Sequence, residues 1–204
     1  HRVESFVAGE ELLLSLGLLF ERDGRLFPAE ALTVLARVEG SEAERVVRAR
    51  HASVFDQDLL DRIGAAGEDL VADACRAELV ELGRADLASN VQRVSLADDS
   101  LGYDVSAPSV SFPTRLLEVK TSGRNAPGLF EFYLTRNEYD TGRRSRDAWY
   151  LVGCRWDGSV ATVIGWCQAA GLSTYLPTDG QGRWMEALVR LPKQMLTPGI
   201  PPPV

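Results

Sequence analysis

Leu116-Leu117-Glu118-Val119-Lys120 is a dense run of strand-forming residues that carries two charges one residue apart. Side chains alternate between the faces of a strand, so Glu118 and Lys120 leave the same face. Upstream, Gly102-Tyr103-Asp104-Val105-Ser106 reads as another strand after a turn at Asp98-Asp99-Ser100, and thirteen residues separate Asp104 from Glu118. Neighbouring strands lie about 4.8 Å apart, so the two carboxylates can converge on one point. Converging carboxylates repel unless a proton or a divalent cation joins them, and Mg²⁺ or Mn²⁺ with oxygen ligands is the economical partner. Lys120 then stands where it can orient or activate a water, or stabilise charge on a phosphate. Glu68, near the start of a helix, is a candidate third carboxylate from the facing layer.

Working outward, Gly67 to Leu82 carries apolar residues on overlapping helical faces, and Gly83 is placed to cap that helix. Val91–Leu96 alternates as a strand, Leu129–Leu134 is another, and Thr135 caps a short helix with Glu138 at the capping-box position. Trp149–Cys154 and Ser159–Trp166 form a hairpin closed by Asp157-Gly158, and Pro198–Val204 reads as extended. This order of helix, strands, helix and strands predicts an α/β or α+β core over residues 58–204. Residues 1–57 read as a mainly helical appendage. In it, Glu10–Leu19 is a helical stripe, residues 20–27 form a small hairpin at Asp23-Gly24, and Pro28 opens a second helix. Helix, hairpin and helix together resemble the tail of a winged-helix unit, with a packing or dimerising appendage as the plainer alternative.

The composition narrows the chemistry. A chain of 204 residues with 45% hydrophobic and 25% charged residues is an ordinary globule. Its longest apolar stretch, Leu12–Phe20, is far short of the ~20 residues a membrane span requires, so no membrane is expected and the cytoplasm is. Three scattered cysteines without a Cys-x-x-Cys pair suit a reducing compartment and argue against a disulfide framework or zinc ribbon. With only His1 and His51 and no Gly-x-Ser-x-Gly, histidine-based hydrolases are nearly excluded, which leaves carboxylates and lysine. The net charge is −7, yet residues 115–155 hold eight Lys/Arg against five Asp/Glu. A local basic face of that kind can contact phosphate, although a solvated face that aids solubility is the plain alternative.

Taken singly, each motif residue has a structural explanation: a solvated Glu-x-Lys ion pair, a turn aspartate, a first-turn helix acid. The combination in this order is what carries chemistry. Asp104 followed by Glu118-Val119-Lys120 resembles the Asp…(Asp/Glu)-x-Lys signature of the restriction-endonuclease-like PD-(D/E)XK nucleases. More specifically, residues 64–155 are similar to the C-terminal domain of the protein NO VEIN family. The matching features are Gly67-Glu68, Gly102-Tyr103-Asp104-Val105, Leu117-Glu118-Val119-Lys120-Thr121-Ser122, Phe130–Leu134, Asn137-Glu138-Tyr139 and Trp149–Val152.

The resemblance implies a restriction-endonuclease-like core, a central mixed sheet flanked by helices. It also implies Mg²⁺- or Mn²⁺-dependent cutting of DNA phosphodiesters, in the role of an effector module of a bacterial restriction or antiviral defence protein. Carried onto this chain, Asp104, Glu118 and the Val119 carbonyl would bind metal, Lys120 would position the attacking water, and Glu68 would complete the metal shell. Glu138 would line the same site, beside its sufficient explanation as a cap. Arg124, Arg143, Arg144 and Arg146 are the candidate DNA contacts, and no base-reading element is evident. A homodimer would suit double-strand cutting, which commonly needs two active sites. Because the chain opens on His1, further domains or subunits of a defence system are expected upstream. A non-catalytic DNA-binding or protein-interaction module of a larger defence protein is the alternative.

Overall fold

The computed structural model describes residues 19–22, 25–28, 40–95, 99–111, 113–123, 127–180 and 182–203, with side chains from residue 59 onward. The chain divides into two compact units, His1–Asp61 and Arg62–Val204. In the first, β1 (Leu19–Arg22) and β2 (Arg25–Pro28) pair antiparallel, with Phe20 opposite Phe27 and Leu19 opposite Pro28. The expected hairpin is there. Pro28 ends β2, where as the last residue of a two-stranded ribbon it costs the ladder little, and the helix expected to follow it falls in residues 29–39, outside the described residues. The expected Glu10–Leu19 helix falls almost wholly outside the described residues, and Leu19 itself begins β1.

Helix α1 runs Gly40–Glu81, far beyond the stretch expected from Gly67. It ends as its sequence dictates. Gly83 takes φ +72°, its N–H reaches Val80 O, and the N–H of Arg84 reaches Leu79 O. That pair of bonds is the Schellman closure, and only glycine takes the left-handed conformation there without strain. A single turn, α2 (Ala85–Ala88), follows.

The second unit is built on a five-stranded mixed sheet in the order β3–β4–β5–β7–β8. Its strands are β3 (Gln92–Arg93), β4 (Val105–Ala107), β5 (Arg115–Ser122), β7 (Trp149–Trp156) and β8 (Ala161–Gln168). β5 and β7 run parallel, with Glu118 beside Leu151 and Lys120 beside Gly153; the other pairs are antiparallel. Parallel neighbours need a long crossover. Here it comprises β6 (Leu129–Thr135) and α3 (Arg136–Arg144). β6 leaves the main sheet and pairs with β9 (Glu186–Pro192) as a separate antiparallel ribbon. The turn joining β7 to β8 is fixed by Asp157 Oδ1, which accepts from the N–H groups of Ser159 and Val160.

Period-two alternation splits the core in two. Leu117 and Val119 of β5 pack with Val71, Cys75 and Leu79 of α1. On the other face Trp149 and Leu151 of β7 pack with Phe130 and Leu134 of β6 and Val189 and Leu191 of β9. Glu118 and Lys120 share the parity of Leu116, which packs on this second core, so both charges are carried to the ribbon and α3 side. The fold is thus α/β with a mixed sheet, one of the two classes, α/β and α+β, that the order of elements left open.

Several expectations need correction. The 91–96 strand shrinks to two residues, because at its far end Val94 and Ser95 turn their N–H groups onto Asp104 O. The 102–106 strand begins only at Val105. β9 and the 3₁₀ segment Ala169–Tyr175 were not anticipated. Among the described residues, no helix is long and apolar enough to cross a membrane.

Candidate active site

β4 stops pairing with β5 at Val105 opposite Leu117. One residue earlier the Asp104 N–H still reaches Leu117 O at 2.9 Å, but it is the side chain that takes the next donor. Asp104 Oδ2 accepts the backbone N–H of Val119 at 2.7 Å. The carboxylate therefore replaces a strand carbonyl where the ladder ends, and Asp104 is fastened into the middle of Glu118-Val119-Lys120.

The loop before Asp104 is clamped from the other side. Asn137 Nδ2 donates to Ser100 O, Trp149 Nε1 donates to Gly102 O at 2.9 Å, and Gly102 has φ +74° with Thr141 pressed against it. A Cβ at residue 102 would lie 2.6 Å from Thr141 Oγ1, so the approach needs glycine twice over.

Glu118 is 2% exposed and Lys120 half-buried beside it. Lys120 Nζ lies 2.8 Å from Glu118 Oε1 and 3.1 Å from Glu138 Oε2. Burial pushes the Asp104 carboxyl up to about 7, against the Val119 N–H and Lys120, which pull it down, and with Glu68 and Glu138 adding to the rise. Burial likewise holds Glu118 well above the usual carboxylate range despite Lys120, and Asp104 adds repulsion. Burial alone would lower the Lys120 ammonium, but Glu118 and Glu138 more than offset it, so Lys120 stays charged.

Glu138 reaches this pair through its helix cap. Thr135 Oγ1 accepts the Glu138 N–H while Glu138 Oε2 accepts the Thr135 N–H, a complete capping box, and the same oxygen faces Lys120. Its capping and site roles therefore coexist. Glu68 stands close enough to raise Asp104. Its Oε2 is engaged by Arg93 Nε and Nη2 and by Ser95 Oγ, so it sits in an ion pair rather than as a bare ligand. Arg93 and Ser95 escaped the sequence reading because a basic residue on a short strand carries no motif. What brings Glu68 near is Gly67, whose absent side chain lets α1 meet β5: a Cβ there would fall 1.9 Å from Thr121 Oγ1.

The arginines lie elsewhere. Arg143 and Arg144 end α3, the far end from Glu138, and Arg146 follows; all three are exposed. Arg144 Nη2 is held by Thr141 Oγ1. Arg124 lies outside the described residues. Cys75, Cys154 and Cys167 are free and buried, and burial pushes their thiols up to about 11, 12 and 12, which leaves no nucleophile among them.

Among the described residues no group of three or more His, Cys, Asp or Glu side chains is arranged to hold a metal ion. The donors nevertheless suit Mg²⁺, which binds through one or two carboxylates and fills its shell with water and phosphate oxygens. Asp104 has a second oxygen beyond the one that accepts the Val119 N–H, and burial raises both the Asp104 and Glu118 carboxyls. The fit is that of a two-carboxylate site.

An α/β domain that fastens an aspartate onto the backbone of a Glu-x-Lys strand is the class this fold and site define. Residues 67–159 match the family model described as Protein NO VEIN, C-terminal. The match takes in Glu68, Asp104, Glu118, Lys120 and Glu138 and spans just under half the chain. No curated protein and no solved structure matches it.

Proposed function

We propose that the Arg62–Val204 unit is a Mg²⁺- or Mn²⁺-dependent endonuclease domain with a restriction-endonuclease-like core, and that it hydrolyses DNA phosphodiesters. The observation that carries the reading is Asp104 seated on the Val119 N–H, beside a buried Glu118 and a charged Lys120. Asp104 and Glu118 would hold the ion, with the Val119 carbonyl beside them and Glu68 at the edge of the shell. Such an ion supplies Lewis acidity toward the phosphate and a more acidic water.

The chain's own residues do the rest. Lys120 remains an ammonium, so it acts by holding the attacking water and offsetting negative charge on the phosphoryl oxygens, not as a base. Glu138 and Glu118 fix that ammonium from two sides. The loop clamped by Asn137 and Trp149 keeps Asp104 from drifting, and reaching groups must be held to within fractions of an ångström. Exposed arginines at the end of α3 and just after it give DNA a basic approach on an acidic protein. The β1–β2 hairpin of the first unit suits a winged-helix-like appendage, and the setting we favour is a cytoplasmic defence protein of bacteria.

Supercoiled plasmid incubated with Mg²⁺, Mn²⁺ or EDTA, beside Lys120→Ala checked for folding by circular dichroism, tests the reading. Metal-dependent nicking that vanishes in the variant supports it. Nicking that ignores EDTA or the substitution overturns it, and DNA retained without nicking supports a non-catalytic binding module instead.

A further inference from the structure

At the end of the sheet away from Lys120 lies a cavity of about 350 Å³. Its walls include Tyr150 and Trp166, whose rings meet edge to face at 5.2 Å, and its polar lining includes Arg115, Asp147, Gln168 and Ser109. Arg115 is 2% exposed, and its Nε has no hydrogen-bond partner among the described residues. The rest of the guanidinium is held by Glu78 and by Pro108 and Pro201 carbonyls, so the charge is built in rather than swept across a surface. Asp147 and Gln168 also line a second, wider groove of about 670 Å³, which Arg143 and Arg146 border. The aromatic pocket and the arginine-edged groove are therefore neighbours that share two side chains at the end of β7 and β8. Neither is lined by Asp104, Glu118 or Lys120.

From this adjacency we infer a nucleotide subsite: an unstacked base of the nucleic acid enters the Tyr150–Trp166 pocket while its flanking phosphates lie along Arg143 and Arg146. The inference rests on the reading of the domain as a nucleic-acid enzyme. Aromatic walls bind a base by its faces, whatever its identity. Hydrogen-bonding groups at the rim then read its edge: the Asp147 carboxylate accepts from an exocyclic amine, and the Gln168 amide both donates and accepts. Arg115 and Lys120 are five residues apart on β5, roughly 16 Å along the strand, or about five steps of a stacked nucleic-acid strand at ~3.4 Å each. The subsite thus reads a base some distance from the cut and supplies the base-reading element that no motif in the sequence reveals.

The test uses the full chain in EDTA with a twelve-nucleotide single strand carrying one 2-aminopurine, whose emission reports unstacking and aromatic contact. Two variants accompany the wild type: Gln168→Trp, which fills the shared mouth from an exposed position, and Arg146→Glu, which reverses a groove charge. The expected result is saturable binding with a change in emission, weakened at least tenfold by each variant at unchanged melting temperature. Wild-type affinity should fall with salt at a log–log slope of roughly −1.4 for two phosphate contacts. Binding that ignores both variants, or no binding at all, overturns the subsite. Plasmid nicking by the same wild-type preparation is scored separately, so a nuclease without this subsite is told apart from a protein that is no nuclease.

Discussion

Replacing Asp104 by asparagine isolates what the site costs the fold. Asparagine keeps the oxygen that accepts the Val119 N–H and removes only the charge. With its carboxyl raised from an ordinary 3.8 to about 7, the folded state binds the Asp104 proton more tightly than the unfolded chain does. The stabilisation from that proton is complete below pH ~4 and is lost as pH rises through ~7. Three units at about 1.36 kcal/mol each set an upper bound of about 4 kcal/mol, reached near pH 8. Asp104→Asn should therefore be more stable than the wild type at pH 8 by a few kcal/mol, with the gap closing toward pH 4. Glu118 is raised by burial and also by Asp104, so removing the Asp104 charge relaxes part of that rise and favours the variant at high pH in the same direction. Urea melts at pH 4, 6 and 8 measure this directly. Adding 10 mM Mg²⁺ at pH 8 should raise the wild-type midpoint more than the variant's, because the variant keeps only one of the two carboxylates. A variant less stable than the wild type at pH 8, or one with an identical pH profile, would refute the claim that Asp104 sits where an anion is unwelcome.

Other substitutions probe the scaffold. Gly67→Ala should raise helix propensity by nearly 1 kcal/mol yet destabilise the protein by about 1–3 kcal/mol, because its Cβ would overlap Thr121 Oγ1; adding Thr121→Ala should recover most of the loss in thermal melts. Thr135→Ala removes half of the capping box and should cost about 1 kcal/mol in denaturant titrations, with nicking reduced rather than abolished because Glu138 still faces Lys120.

The site was more legible in the sequence than the fold around it. Glu118 and Lys120 share a face because any strand alternates, so one confident strand sufficed to place them. Asp104 was placed beside them on the assumption that it lay within a strand. Instead it lies just before β4, and its side chain does the pairing that a strand carbonyl would have done. Hydropathy patterns report which side chains are buried, not where a ladder ends, so they overran both β3 and β4. The length of α1 was hidden for a related reason: residues 40–57 carry charge on every face, and only Gly67–Leu82 shows the stripe that packing demands. β9 was missed although Ala187, Val189 and Leu191 alternate inward, because Leu188 between them makes the apolar run read as continuous rather than alternating. Glu68 was found for its type and place, whereas its arginine partner could be found only in three dimensions.

The matched stretch of sequence ends at Ser159, inside the turn between β7 and β8. A polypeptide trimmed to those borders would lose β8, leave β7 with a bare edge, and strip Val189 and Leu191 from the second core. It would also lose the Pro201 carbonyl that helps hold the Arg115 guanidinium, and Pro203, whose carbonyl accepts the Val110 N–H. What has been inherited as a recognisable module is therefore smaller than what can stand alone, and the borders of descent and of folding part company in the middle of one hairpin.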